Sequence, residues 1–137
     1  MSAAVGGDDG LAGKVALVRG GAGGIGRALA VAYARAGVST VLGYLPGGPH
    51  DPRQAVAEAE VAGGRAPALA CDVTDPASVD AFTDAAHDHF GRLDLVVANA
   101  GALDSAGSAG LSDDRRHRLL EADLTGVVHT LRWAPPR

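Results

Sequence analysis

Lys14 to Gly26 reads KVALVRGGAGGIG: an apolar run, a glycine-rich turn and the opening of a helix in immediate succession. Val15–Val18 suit a strand covered on both faces, because such strands read as continuous apolar runs. Ile25, Ala28, Leu29, Ala32 and Ala36 then recur at helical spacing, so the segment predicts one strand–turn–helix unit. Glycines at 20, 21, 23, 24 and 26 let the backbone come close to a ligand, while the first N–H groups of the helix and its dipole attract negative charge. That combination suits the pyrophosphate of a dinucleotide. The run fits two spacings: Gly21, Gly23 and Gly26 as G-x-G-x-x-G, and Gly20, Gly24 and Gly26 as G-x-x-x-G-x-G. A glycine turn alone is a weak signal, so the remaining segments decide its meaning.

Those segments alternate between strand and helix. Gly37 reads as a helix C-cap, Val38–Leu42 as a second strand, and Leu45-Pro46-Gly47-Gly48-Pro49 as a turn. Asp51-Pro52 and Asp75-Pro76 are both helix starts, an N-cap followed by proline at the first helical position. The first of these helices carries Ala55, Val56, Ala59 and Ala62 on one face and ends at Gly63-Gly64; the second carries Val79, Phe82, Ala86 and Phe90 and ends at Gly91. Arg65–Ala70 and Leu93–Ala98 are the third and fourth strands. Beyond a loop of small residues, Ser112 caps a last helix lined by Leu120, Leu124, Val127 and Leu131, which Pro135-Pro136 stop. Four short strands separated by helices predict a parallel α/β sheet of Rossmann type with helices on both faces, truncated after about four strands. Ligands of such sheets sit beyond the carboxyl ends of the strands; here the ends of strands one, three and four are expected to meet.

At 137 residues the chain is expected to form one domain over 11–137, preceded by a flexible tail at 1–10. Two Phe, two Tyr and one Trp leave the core to Val, Leu and Ala, which favours close helix–sheet layering. A net charge of −4 gives no basic footprint for nucleic acid or an anionic membrane. Arg115, Arg116 and Arg118 read as a solvated helix face. Residues 1–13 lack the apolar core of a secretory signal, and no apolar run is long enough to span a bilayer. Cys71 is the only cysteine, which excludes an intrachain disulfide and suits a reducing cytoplasm. His50, His87, His89, His117 and His129 lack metal-site spacing and are assigned to solvent or to capping.

Leu11-Ala12-Gly13-Lys14 leading into the glycine turn, Asp72-Val73 after strand three and Asn99-Ala100-Gly101 after strand four together resemble the short-chain dehydrogenase/reductase family, from about Leu11 to Thr130. The resemblance implies that Gly20, Gly24, Ile25 and Gly26 hold the pyrophosphate of a nicotinamide dinucleotide. It implies that Asp72 and Val73 meet its adenine, and that Asn99, Ala100 and Gly101 line the cleft near the ribose. Asp72 also suits an acid that bonds its own turn, and Asn99 a strand-end turn, neither of which conflicts with binding.

The chain departs from the family pattern in four ways. Arg19 stands where a threonine is usual; an arginine ending a buried strand either finds an anion such as a cofactor phosphate or strains the loop. Tyr44 stands about where NAD-preferring members carry an acid for the ribose hydroxyls, which permits either NAD or NADP and tips slightly toward NADP. Asp123, within Glu121–Val127, replaces the family's catalytic-site asparagine and when ionised cannot donate as an amide does; an ordinary solvent-facing helix residue is the competing reading. Finally, the family reaction needs a serine and a Tyr-x-x-x-Lys pair. Lys14 is the only lysine, and neither Tyr33 nor Tyr44 has a lysine four residues on. Without that pair, hydride transfer lacks its proton donor, so no catalytic residue is assigned.

The leading expectation is thus the cofactor-binding half of an NAD(P)-dependent oxidoreductase, inactive alone and acting on a small-molecule substrate only when completed by a C-terminal half. The alternatives are a non-catalytic NAD(P)-sensing module and one half of a split enzyme. Strand four, left as an edge, is expected to support self-association.

Overall fold

A computed structural model describes residues 9–102 and 107–132. Of the expected tail at 1–10, all but Asp9 and Gly10 lie outside the described residues, as do the prolines at 135 and 136. Four parallel strands, β1 (Val15–Arg19), β2 (Ser39–Tyr44), β3 (Ala68–Ala70) and β4 (Leu95–Ala98), form one sheet in the order β3-β2-β1-β4. Three long helices connect them: α1 (Gly24–Arg35), α2 (Pro52–Val61) and α3 (Pro76–Phe90). Beyond β4 come a single turn, α4 (Gly107–Gly110), then α5 (Asp113–Leu120), a π-helical turn at Glu121–Thr125, and α6 (Gly126–Arg132).

Alternation along β1 divides the core. Val15 and Leu17 point to one face, where they meet Val41, Val79, Phe82 and Ala86. Val18 points to the other, with Leu42, Ala30, Ala34, Ala55 and Ala59. Each fully buried valine, leucine or phenylalanine contributes roughly 1.5–3 kcal/mol, and the alanines let α1 and α2 lie close to the sheet. Both Asp-Pro starts cap as their sequence dictates: Asp51 accepts from the Arg53 amide and Asp75 from the Ala77 amide. Gly91 ends α3 in the left-handed conformation at φ 74°.

Strand boundaries shift from the expected ones for local reasons. The segment before β3 does run beside β2, with the Arg65 and Pro67 carbonyls accepting from Thr40 and Leu42. Pro67 has no N–H to return, so the regular ladder begins at Ala68. The Val38 amide closes α1 by donating to the Tyr33 carbonyl, so β2 begins one residue later and continues to Tyr44.

Two helix faces were assigned differently by periodicity. Gly26, Ala30 and Ala34 are the buried line of α1, whereas Ile25 is 71% exposed and Ala28 and Ala32 face solvent. After β4 the expected continuous helix is interrupted by the π-helical turn, and its buried residues are Gly126 and Thr130. Leu120, Leu124 and Leu131 are exposed, with Val127 half-buried. The cause is shared: the smallest residues sit nearest the sheet, and the larger apolar ones are left outside.

Candidate functional site

At the carboxyl ends of the strands the chain turns sharply back on itself. Gly20 has φ 67°, and a Cβ there would lie 2.8 Å from Ala100 Cα. Asn99 bridges the same junction by donating from Nδ2 to the Gly20 carbonyl at 3.1 Å. β1 and β4 are neighbours, and β2 and β3 lie together on the far side of β1, so the order in which strands are added reverses between β1 and β4. β3 itself is at the outer edge; its following loop, Cys71–Thr74, brings that strand's contribution inward. The segments that follow strands one, three and four thus meet at one cavity, as expected, although β2 separates β3 from β1 within the sheet.

The loop is held firmly. Asp72 Oδ1 accepts from the Thr74 amide at 2.9 Å and from Thr74 Oγ1 at 2.7 Å, and the Asp72 amide donates to Ser78 Oγ at 2.9 Å. On the other side, His129 Nδ1 donates to the Val73 carbonyl at 3.1 Å, and a Cβ on Gly126 would fall 2.8 Å from Val73 Cγ2. His129 thus anchors α6 to the loop, beyond the solvent or capping role its sequence suggested.

Between these elements lies a cavity of about 270 Å³, lined among others by Gly20, Tyr44, Asp72, Val73, Ala100 and Gly101. Six of the ten residues assigned from the sequence therefore share one cavity. The other four do not line it. Asn99 braces the junction behind it, and Gly24 opens α1 with φ 55°. Gly26 is excluded by packing, since a Cβ there would collide with the Gly20 carbonyl oxygen. Ile25 projects into solvent. Asp123 lies on the π-helical turn and accepts from the Ala102 amide at 2.6 Å, holding the residues directly after β4. It is exposed, yet its carboxylate is engaged, so neither sequence reading of it is complete.

The N-terminus of α1 opens onto this cavity through Gly23, its N-cap. No side chain caps it, and no acid occupies its first turn. Its free N–H groups are therefore available to an anion, which is the arrangement a pyrophosphate needs. The glycine cradle and this uncapped terminus fit a dinucleotide.

Arg19 behaves otherwise than expected. Its guanidinium turns away from solvent onto α3, is 1% exposed, donates from Nη2 to Thr83 Oγ1 at 3.1 Å, and sits 5.4 Å from the centre of the Phe82 ring. Nε and Nη1 have no partner. Burial pushes its pKa below the usual arginine value. Cys71, in the same wall, is buried as well, and its thiol is pushed up by that burial.

Sequence reasoning missed His50. The loop Leu45–His50 folds back so that a Cβ on Gly23 would lie 2.6 Å from His50 Cδ2 and Nδ1. The imidazole therefore stands over the α1 N-cap, in the cavity wall. No local signal could have found this, because the contact depends on how a proline-glycine turn closes.

Comparison with known proteins bears on what the cavity is for. The family profile described as short chain dehydrogenase matches residues 14–137. The chain belongs to this family. An uncharacterized oxidoreductase of Mycobacterium tuberculosis is 39% identical, the match covering 92% of this chain and 48% of that protein. Cis-4-hydroxycyclohexanecarboxylate dehydrogenase of Sinomonas cyclohexanicum is 41% identical, covering 87% of this chain and 49% of that enzyme. The structure of a short chain dehydrogenase from Mycobacterium paratuberculosis bound to NAD superposes with a TM-score of 0.80 at 28% identity, covering 89% of this chain and 49% of that one. The chain spans about half the length of the curated relatives it matches. Among the described residues, no helix is long and apolar enough to cross a membrane, and no cluster of His, Cys, Asp or Glu is arranged to hold a metal ion.

Proposed function

We propose that this short-chain dehydrogenase chain binds a nicotinamide dinucleotide in the cavity at the carboxyl ends of its strands and does not by itself carry out hydride transfer. The observation that carries the reading is the uncapped N-terminus of α1 opening into a cavity that also contains Asp72, Val73, Ala100 and Gly101. The α1 amides would take the pyrophosphate, with Gly20 and Gly24 supplying the backbone turn. Asp72 and Val73 would meet the adenine, while Asn99, Ala100 and Gly101 would shape the ribose side. When bound, the nicotinamide supplies or accepts the hydride; this chain's part is to hold and orient it.

The absence of a Tyr-x-x-x-Lys pair among these 137 residues is the reason for assigning no complete reaction. Reduction of a carbonyl needs a proton donor, and a tyrosine serves near neutral pH only when a neighbouring cation lowers its pKa. A small-molecule substrate would therefore be turned over only with a second segment contributing that pair. Self-association through the open edge of β4 and a cytoplasmic setting belong to the same reading.

Thermal unfolding with and without NADH and NADPH tests it. A ligand binding only the folded chain stabilises it by about 2.7 kcal/mol at a hundredfold excess over its Kd, enough to move the midpoint by several degrees. A transition indifferent to both would refute dinucleotide binding. Oxidation of NADH by the chain alone, with any carbonyl substrate, would refute the assignment of incomplete catalysis.

A further inference from the structure

Taking the cavity as a dinucleotide site, the reading on which this inference rests, its charge distribution favours one cofactor over the other. Among the described residues Asp72 is the only carboxylate in the lining, and its Oδ1 is already engaged by Thr74. Opposing it is Arg19, a buried cation with Nε and Nη1 unpartnered and no carboxylate in contact. Asp80 attracts it without forming an ion pair, so the charge is only partly compensated and this wall carries a positive field that an anionic ligand would relieve. β2, which forms the adjoining wall, ends in Tyr44 and adds no negative charge.

His50 gives that field a point of contact. Its imidazole occupies the space that a side chain on Gly23 would fill, at the N-cap of α1. It makes no hydrogen bond or ion pair within the described residues. A pyrophosphate seated on the α1 amides is joined through one methylene to the adenosine ribose. With the adenine assigned to Asp72 and Val73, whose loop adjoins the end of β2 through the Cys71 amide and the Tyr44 carbonyl, the adenosine ribose would lie between Gly23 and Tyr44, beside His50. We propose that His50 recognises a phosphate on the 2′-oxygen of that ribose, making the site selective for NADP(H) over NAD(H).

Titration of the purified chain with NADPH, NADH, 2′,5′-ADP and 5′-ADP tests the assignment. NADPH should bind at least about tenfold tighter than NADH, a difference of about 1.4 kcal/mol. The ADP pair should show the same preference without the nicotinamide. His50→Ala should bring NADPH to within about twofold of NADH by lowering NADPH affinity more than NADH affinity, and His50→Lys, which places an ammonium there, should retain the preference. His50 is exposed, and an unchanged thermal midpoint for the unliganded variants would exclude a folding defect. Equal loss of NADH and NADPH in His50→Ala would assign the imidazole to the pyrophosphate or to loop closure and overturn the proposal. Binding of NADH without preference for NADPH in the wild-type chain would overturn it while leaving the dinucleotide reading intact. Failure of every nucleotide to bind would overturn both together.

Discussion

Arg19 ends β1 with its guanidinium folded onto α3, held by one hydrogen bond to a neutral hydroxyl and by the face of Phe82. The Thr83 hydroxyl is itself spent on the Val79 carbonyl, so it compensates little of the charge. A buried cation with two unsatisfied donors costs more than its packing returns, and burial accordingly pushes its pKa down. For a base with a lowered folded pKa, that cost is present throughout neutral pH and is relieved only when pH rises through the folded pKa. Arg19→Met, which keeps the volume and removes the charge, should therefore raise the free energy of unfolding at pH 7 by about 1–3 kcal/mol. Urea denaturation measures this, and a loss of stability would mean that the Phe82 and Thr83 contacts dominate. Asp94 presents the opposite case. Its carboxylate accepts a bidentate bond from Arg92 and one from the Val15 amide at 2.8 Å, pinning the start of β1 beside β4. The Arg92 bonds chiefly hold its pKa below the ordinary aspartate value, against a smaller desolvation effect. Its stabilisation is thus complete above the unfolded pKa and is lost as pH falls through the folded one. Because the pair is partly exposed to solvent, Asp94→Asn should reduce stability by only about 1 kcal/mol at pH 7, and should flatten the acid limb of a stability–pH curve.

At the scale of elements, the glycine turn separates into positions with different demands. Gly26 touches the Gly20 carbonyl oxygen where a Cβ would be, whereas Gly24 has open space around it and only a positive φ to maintain. Gly26→Ala should cost about 1–3 kcal/mol by forcing α1 away from the turn. Gly24→Ala should cost about 1–2 kcal/mol from backbone strain alone. Chemical denaturation ranks the two, and the reverse order would show that α1 can move outward without penalty. Periodicity could not separate these positions, although it located the turn, because it records which residues are apolar and not which must be smallest. The same limit explains α1, where Ile25 suggested one face and Gly26, Ala30 and Ala34 bury another. Both Asp-Pro caps and the cavity positions of Asp72, Val73, Ala100 and Gly101 follow from local signals: caps and motif residues at strand ends. His50 and Arg19 were not legible in this way. The position of His50 depends on the closure of a turn, and that of Arg19 on the approach of α3, which brings Thr83 and Phe82 to it.

For the whole molecule, the sheet order leaves β4 outermost and paired only with β1 among the described strands. Its second row of backbone donors and acceptors faces away from β1, a template for another strand. Beside it, Leu120, Leu124, Val128 and Leu131 expose apolar surface along α5, the π-helical turn and α6. An open edge next to an apolar stripe is the combination that draws partly covered chains together, because pairing satisfies the backbone while the stripe loses contact with water. The chain should therefore associate in a concentration-dependent manner at micromolar levels, which static light scattering detects as a mass above that of the monomer. Leu124 and Leu131 are 60% and 58% exposed, so replacing both with glutamate should leave the thermal midpoint of the fold nearly unchanged. The charges should lower the associated fraction by repelling the second copy and withholding the apolar contribution. Association that persists undiminished in this double variant would assign it to the β4 edge alone. A monodisperse monomer across the whole concentration range would mean that four paired strands and their helices already protect that edge.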